Sequence, residues 1–191
     1  MGQKKISENA DHLLWERFKK GEKQVLAHIF QKHYSSIYSY GYRICQERAL
    51  VEDCIQELFI ELISNQQNLG PVDHIGFYLL ASVRRKIYGY LKRKKQFGIR
   101  EDEDELVPDN QEISAEDSWI KLEESHLYNR KLQEILKRLP AREREAIYLR
   151  YYRNYSYQEI TRIMGVNYKT ARMLIYRGIK SMREQSKEAF K

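Results

Sequence analysis

The chain has 191 residues, of which 42% are hydrophobic and 32% charged, and it carries a net charge of +7. That length allows one domain or two small ones. Its 9 Gly and 3 Pro are too few for a turn-rich all-β chain, and the positive balance points to an anionic partner, either nucleic acid or a membrane surface. Cys45 and Cys54 are the only cysteines and form no CxxC pair, so a cysteine-rich zinc site is not expected; two small, partly buried side chains in a reducing cytosol are. Met1 to Asn9 is polar, unlike a signal peptide. No stretch approaches the roughly 18 apolar residues of a membrane span. The expectation is a cytoplasmic protein with no membrane insertion.

Charge divides the chain in three. Residues 1–97 have a net charge of +6, residues 98–126 of −9 and residues 127–191 of +10. The acidic middle centres on Glu101, Asp102, Glu103, Asp104 and Glu105, followed by Pro108, Asp109 and Asn110. Like charges in a run repel one another, so a flexible linker is expected over 98–117. Tethered between two basic domains, these acids are expected to compete with an external anionic partner, such as nucleic-acid phosphate, for the basic surfaces, most strongly at low salt.

Helical periodicity dominates the first domain. A short helix is expected around Leu13, Leu14 and Phe18. Leu26, Ile29, Phe30, His33, Ile37, Tyr40 and Ile44 then form one stripe at steps of three and four. Val51, Ile55, Leu58, Phe59 and Leu62 form a second, and Phe77, Leu80, Val83, Ile87 and Leu91 a third. Gly70 and Pro71 mark the break between these last two.

On the outer side of the second stripe lie Glu52, Asp53, Gln56, Glu57 and Glu61. Asp53, Glu57 and Glu61 are like charges at i, i+4 spacing, which slightly destabilises an isolated helix. This face is either simply solvated or a docking surface for a basic protein. A carboxylate metal site lacks the accompanying Glu-x-x-His pair.

The third stripe belongs to the segment GFYLLASVRRKIYGYLKRKKQF, residues 76–97. Arg84, Arg85, Lys86, Lys92, Arg93, Lys94 and Lys95 are interleaved with Tyr78, Tyr88, Tyr90 and Phe97. Cations neutralise phosphates and exposed rings stack on unpaired bases, which suits nucleic acid. A solvated basic helix and a helix lying on anionic lipid would show the same composition.

The second domain is the most specific part. Leu132, Ile135, Leu136 and Leu139 end one helix, and Pro140 suits the first turn of the next, which carries Ala146, Ile147, Leu149 and Arg150. Ser156 and Glu159 make a capping box before Ile160 and Ile163. Gly165 suits a left-handed helix end, and Asn167 is a good N-cap for the last helix. That helix is expected to bury Ala171, Leu174, Ile175, Gly178, Ile179 and Met182. Its other face offers Lys169, Arg172, Met173, Tyr176, Arg177, Lys180 and Arg183. A short helix, a glycine turn and a basic amphipathic helix together read as a helix-turn-helix. Tyr168, Lys169, Arg172 and Met173 occupy the first turns, where base edges are read. Arg177, Lys180 and Arg183 are placed to meet phosphate.

Taken together, the pieces resemble an extracytoplasmic-function RNA polymerase sigma factor of the sigma-seventy superfamily, over nearly the whole chain outside the linker. Val51 to Phe59 is similar to the family's core-binding helix, with its D-x-x-Q-E-x-F pattern at Asp53, Gln56, Glu57 and Phe59. The resemblance implies that these residues dock on the clamp helices of the polymerase β′ subunit. Phe77 to Lys95 resembles the part that melts and reads the minus-ten promoter element, which implies DNA contacts by Tyr78, Arg84, Arg85, Lys86, Tyr88, Tyr90, Lys92 and Arg93. Residues 139–150 and 155–160 resemble the domain that reads the minus-thirty-five element. Ser156, Tyr157, Tyr168, Lys169, Arg172, Met173, Tyr176, Arg177, Lys180 and Arg183 are implied there. Tyr168 and Ala171 depart from the small residue and valine that family members often carry.

The implied fold is all-α: an N-terminal helical bundle over 1–97, the acidic linker over 98–117, and a helix-turn-helix domain over 118–191. The implied partners are core RNA polymerase, promoter DNA and an anti-sigma factor, with no cofactor and no metal. A stand-alone helix-turn-helix regulator would explain residues 127–191 equally well, but not the acidic face or the separate basic-aromatic helix. For an enzyme the signals are missing: His12, His28, His33, His74 and His126 show no H-E-x-x-H spacing, and neither a Walker loop nor a G-x-S-x-G elbow occurs.

Overall fold

The structure is a computed structural model that describes residues 2–96, 131–132 and 134–189. The described residues are helical, with no strand among them, and the chain divides into two compact units. The first holds α1 (Gly2–Lys19), α2 (Lys23–Cys45), α3 (Arg48–Ser64) and α4 (Ile75–Gln96). The second is built on α5 (Ala141–Ile147) and α7 (Tyr168–Ala189). Between these in sequence lies α6 (Tyr157–Met164). The acidic linker and its boundaries lie outside the described residues.

In the first unit α2 packs on both α3 and α4, α3 packs on α4, and α1 lies against α2 and α4. The expected stripes supply the interior: Ile29, Ile37, Tyr40, Ile55, Leu62, Leu80 and Ile87 are almost fully buried. Each such side chain contributes about 1.5–3 kcal/mol on leaving water. Gly41 lets α2 come close to its neighbours. A Cβ there would stand 2.8 Å from Val51 Cγ1 and 3.1 Å from Ile87 Cδ1.

The first helix is longer than the expected short one, spanning Gly2–Lys19. Its inward residues are Trp15 and Phe18, while Leu13 is exposed. Trp15 Nε1 donates to Gly70 O at 2.9 Å, and Gln66 Nε2 donates to Phe18 O, so α1 pins the connection between α3 and α4. Asp11, buried at 2% exposure, accepts the backbone N–H of Ile75 at 3.2 Å. This satisfies one of the orphan donors at the start of α4 from a distant helix. Lys32 Nζ lies 3.4 Å from the same carboxylate and His74 Nδ1 3.7 Å from it.

In the second unit α5 packs against α7. They come close at Gly178, where a Cβ would stand only 2.9 Å from Ile147 Cγ1. Ala171, Ile175 and Gly178 are buried as the stripe requires, with Leu174, Ile179 and Met182 half-buried beside them. After α5 the backbone widens into a π-helical turn over Tyr148–Tyr152, closed by the Arg153 N–H on Tyr148 O at 3.1 Å.

Candidate functional site

Three surfaces carry the residues singled out from the sequence. The first is the outer face of α3. Its inward positions are Leu50, Val51, Cys54, Ile55, Leu58, Phe59 and Leu62, which leaves Glu52, Asp53, Gln56, Glu57 and Glu61 exposed. Phe59, on the expected buried stripe and also implied as a polymerase contact by the resemblance, lies in the core at 8% exposure, edge-on to Phe30 at 5.0 Å. Ile60 and Ile63 are the apolar residues that α3 does expose. Their signal was present in the sequence. Ile60 lies four and three residues beyond Gln56 and Glu57, hence on the same helical face. The thiol of Cys54 points inward, and burial pushes its pKa up to about 11, so it is unreactive near neutral pH.

The groove between α3 and α4, about 590 Å³ in volume, has walls of opposite charge. Asp53, Glu57 and Glu61 line one side, and Arg85, Lys86 and Arg93 the other. Lys86 crosses it, with Nζ 2.6 Å from Glu61 and 3.3 Å from Glu57. Its side chain is only 15% exposed. Burial opposes the charge, but the hydrogen bonds to Glu61 and Glu57 outweigh it and raise the Lys86 pKa.

The second surface is the rest of α4, where the basic and aromatic residues divide. Tyr78 packs edge-on against Trp15 at 5.1 Å. The Arg84 guanidinium sits 4.5 Å over the Tyr88 ring. Arg85 Nη2 donates to Ser82 Oγ at 3.2 Å, and Lys94 Nζ lies 3.7 Å from Glu47. Tyr90, Lys92 and Arg93 are exposed. Phe97 lies outside the described residues.

The third surface is built by α6 and α7, and its local chemistry follows the expected pattern. Ser156 N–H and Oγ donate to the Glu159 carboxylate at 2.7 and 2.8 Å, and Glu159 N–H returns to Ser156 Oγ at 3.3 Å. The Ser156 hydroxyl is thus engaged in the cap. Gly165 has φ +63°, the left-handed conformation that ends α6. Asn167 Oδ1 accepts the Thr170 N–H at 2.8 Å and starts α7. Arg150 donates to Tyr155 O at 3.0 Å and lies 5.2 Å over the Tyr157 ring, which is 5.6 Å from Tyr168. Lys169, Arg172, Met173, Tyr176, Arg177, Lys180 and Arg183 are all exposed on α7. Lys180 alone of these has an acidic neighbour within reach among the described residues, Glu184 at 3.9 Å. Tyr151 and Tyr152, not singled out from the sequence, are also exposed.

Among the described residues no group of three His, Cys, Asp or Glu could hold a metal ion. No described helix is long and apolar enough to cross a membrane.

Comparison with known proteins agrees with this layout. Residues 29–97 match the Sigma-70 region 2 family, and residues 129–182 match Sigma-70, region 4. The chain belongs to the sigma-70 family, as a factor of the extracytoplasmic-function type. It is therefore a sigma factor, acting in promoter recognition and transcription initiation. It is similar to the ECF RNA polymerase sigma factor BldN of Streptomyces coelicolor, 25% identical over 88% of this chain and 63% of that one. RNA polymerase sigma factor CarQ of Myxococcus xanthus is 24% identical over 88% of this chain and 93% of its own length. SigV of Bacillus subtilis is 23% identical over 87% and 94%. The fold is shared with CnrH, solved in complex with the cytosolic domain of CnrY, at a TM-score of 0.65 and 14% identity, covering 94% of this chain and 98% of that one. It is also shared with RpoE, solved with the anti-sigma factor NepR from Bartonella quintana, at a TM-score of 0.60 and 18% identity, covering 86% and 96%.

Proposed function

We propose that α3 holds this sigma factor to core RNA polymerase, that α4 meets the minus-ten element, and that α7 reads the minus-thirty-five element. The observation that carries this reading is the acidic face of α3, exposed at Asp53, Gln56 and Glu57 within a domain of net charge +6. Lys86 offsets Glu57 and Glu61 from within the domain, while Glu52 and Asp53 keep the face acidic and open to a basic partner. Ile60 and Ile63 add apolar area to that face, as an interface core requires. A stand-alone DNA-binding regulator has no use for such a surface.

Within α4 the exposed set, Tyr90, Lys92 and Arg93, is the best placed for DNA, with Arg85 beside it. Lys86 is engaged by α3. In this reading the acidic segment around 101–105 separates the two domains over 98–117. The chain acts in the cytoplasm, by binding rather than by catalysis, and an anti-sigma factor is a further partner, as NepR is of RpoE.

The test is core binding by Asp53→Lys together with Glu57→Lys. Like charges set against a basic partner cost several kcal/mol, so affinity for core should fall by more than about a hundredfold, with helicity by circular dichroism unchanged. Undiminished co-purification with core would remove α3 as the docking element.

A further inference from the structure

The exposed face of α7 is divided along its length. Tyr168, Met173 and Tyr176 are exposed at 50%, 41% and 62%, all within its first nine residues. With Lys169 and Arg172 they line a shallow hollow of about 440 Å³ on this one helix. Further along, the same face offers Arg177, Lys180, Arg183, Glu184 and Lys187, and no large apolar side chain. Three large apolar groups held in water over two and a half turns mark a contact surface rather than scatter.

Charge selects the occupant. Residues 127–191 carry a net +10, and the exposed face of α7 has no acid before Glu184. A protein partner for so basic a face would itself need to be acidic, whereas duplex DNA supplies the negative charge uniformly. The major groove is otherwise lined by hydrogen-bonding groups, and its one apolar group is the C5 methyl of thymine. Lys169 stands three and four residues before Arg172 and Met173, and Tyr176 four and three beyond them, so the cations and the apolar groups share one face.

Tyr168 is held at the flank by the Tyr157 ring at 5.6 Å. Met173 and Tyr176 have no ring contact among the described residues and project freely. Met is flexible enough to fit against a methyl group.

Resting on the reading that α7 enters the major groove, we infer that Met173 and Tyr176 are specificity determinants that read thymine methyl groups beside the base met by Arg172. The recognition sequence therefore contains thymines whose methyl groups, and not only their hydrogen-bonding edges, are sensed.

Deoxyuridine keeps every hydrogen-bonding group of thymine and lacks only the methyl, so it isolates the effect. A duplex is first selected from a randomised pool by the full chain assembled with core polymerase. Each thymine of the minus-thirty-five site is then replaced in turn by deoxyuridine, and affinity is read by fluorescence anisotropy. One or two positions should lose about fourfold, the worth of one buried methyl. Met173→Ala should erase the difference between thymine and deoxyuridine at one position and Tyr176→Ala at another. Each variant should bind the corresponding deoxyuridine duplex as the parent does.

Equal affinity of the parent for thymine and deoxyuridine at every position would overturn the inference while leaving α7 as the reading helix. Loss of core binding by the two variants, with methyl discrimination retained, would overturn it in favour of a protein occupant. Failure of Arg172→Ala to alter DNA binding at all would overturn both the inference and the reading it rests on.

Discussion

α4 and α7 are both helices of 22 residues, rich in Lys and Arg on one side and apolar on the other. They hold their charges differently. On α4, Lys86 is bound by Glu57 and Glu61, Lys94 lies by Glu47, and Arg84 is stacked on Tyr88. On α7, Lys169, Arg172, Arg177 and Arg183 face solvent with no side-chain partner among the described residues. Seven cations on α4 and six on α7 thus have unequal reach toward an external anion. A cation already desolvated against a carboxylate must give up that interaction before it can serve a phosphate. α4 stands beside an acidic helix, and α7 does not.

The largest effect that sharpens this contrast is on α7. Arg172→Ala should lose about 1–3 kcal/mol of discrimination at one base position, whereas Arg183→Ala should weaken binding evenly across sequences. Equal losses on every sequence would place both residues on phosphate. A smaller effect is expected on α4. Arg93→Ala should lower promoter affinity severalfold and reduce the salt slope of binding by about one. Lys86→Met should leave that slope unchanged, because its ammonium is occupied by α3. A reduced slope for Lys86→Met would show that the α3 carboxylates release it to DNA.

The smallest effect separates the units by pH. Burial lowers the His33 pKa below its ordinary 6.5; Lys32 adds to this, Asp11 opposes it, and His74 and His28 reinforce it. His33 Nε2 is buried with no hydrogen-bond partner among the described residues. The unfolded chain therefore takes up a proton that the folded unit resists. Stability is fully present above pH 6.5 and declines as pH falls through the depressed folded value. Thermal melts should show the first unit weakening over that range, and His33→Gln should flatten the trend. The described part of the second unit contains no histidine, so no described group there gives its melt the same slope.

What could be read from the sequence was what is local. The capping box at Ser156 and Glu159, the αL glycine at Gly165 and the Asn167 cap involve residues no more than three apart, and the structure has each of them. The buried stripes of α2 to α4 likewise follow from helical period alone. What could not be read depends on which helices become neighbours. Lys86 and Glu61 are 25 positions apart, and their pairing needs the juxtaposition of α3 and α4. Phe59, set on the buried stripe by helical spacing, is buried edge-on to Phe30. Phe30, assigned to the buried stripe, is 38% exposed. Trp15 was overlooked because one aromatic in a polar helix makes no periodic signal.

The cap that Asp11 places on α4 has a consequence for how the chain is made. Synthesis runs from the N-terminus, so α1 emerges first and the N–H it must satisfy emerges 64 residues later. At about 5–20 residues per second, that is a wait of roughly 3–13 s. Through that interval a carboxylate destined for burial has neither Ile75 nor His74 to meet, and it stays in water. The first unit is thus expected to close only once α4 has begun to appear, when one long-range contact both buries the charge and starts the helix. The exposed basic face of α4 is then the last part of the first unit to form, at the moment that unit becomes whole.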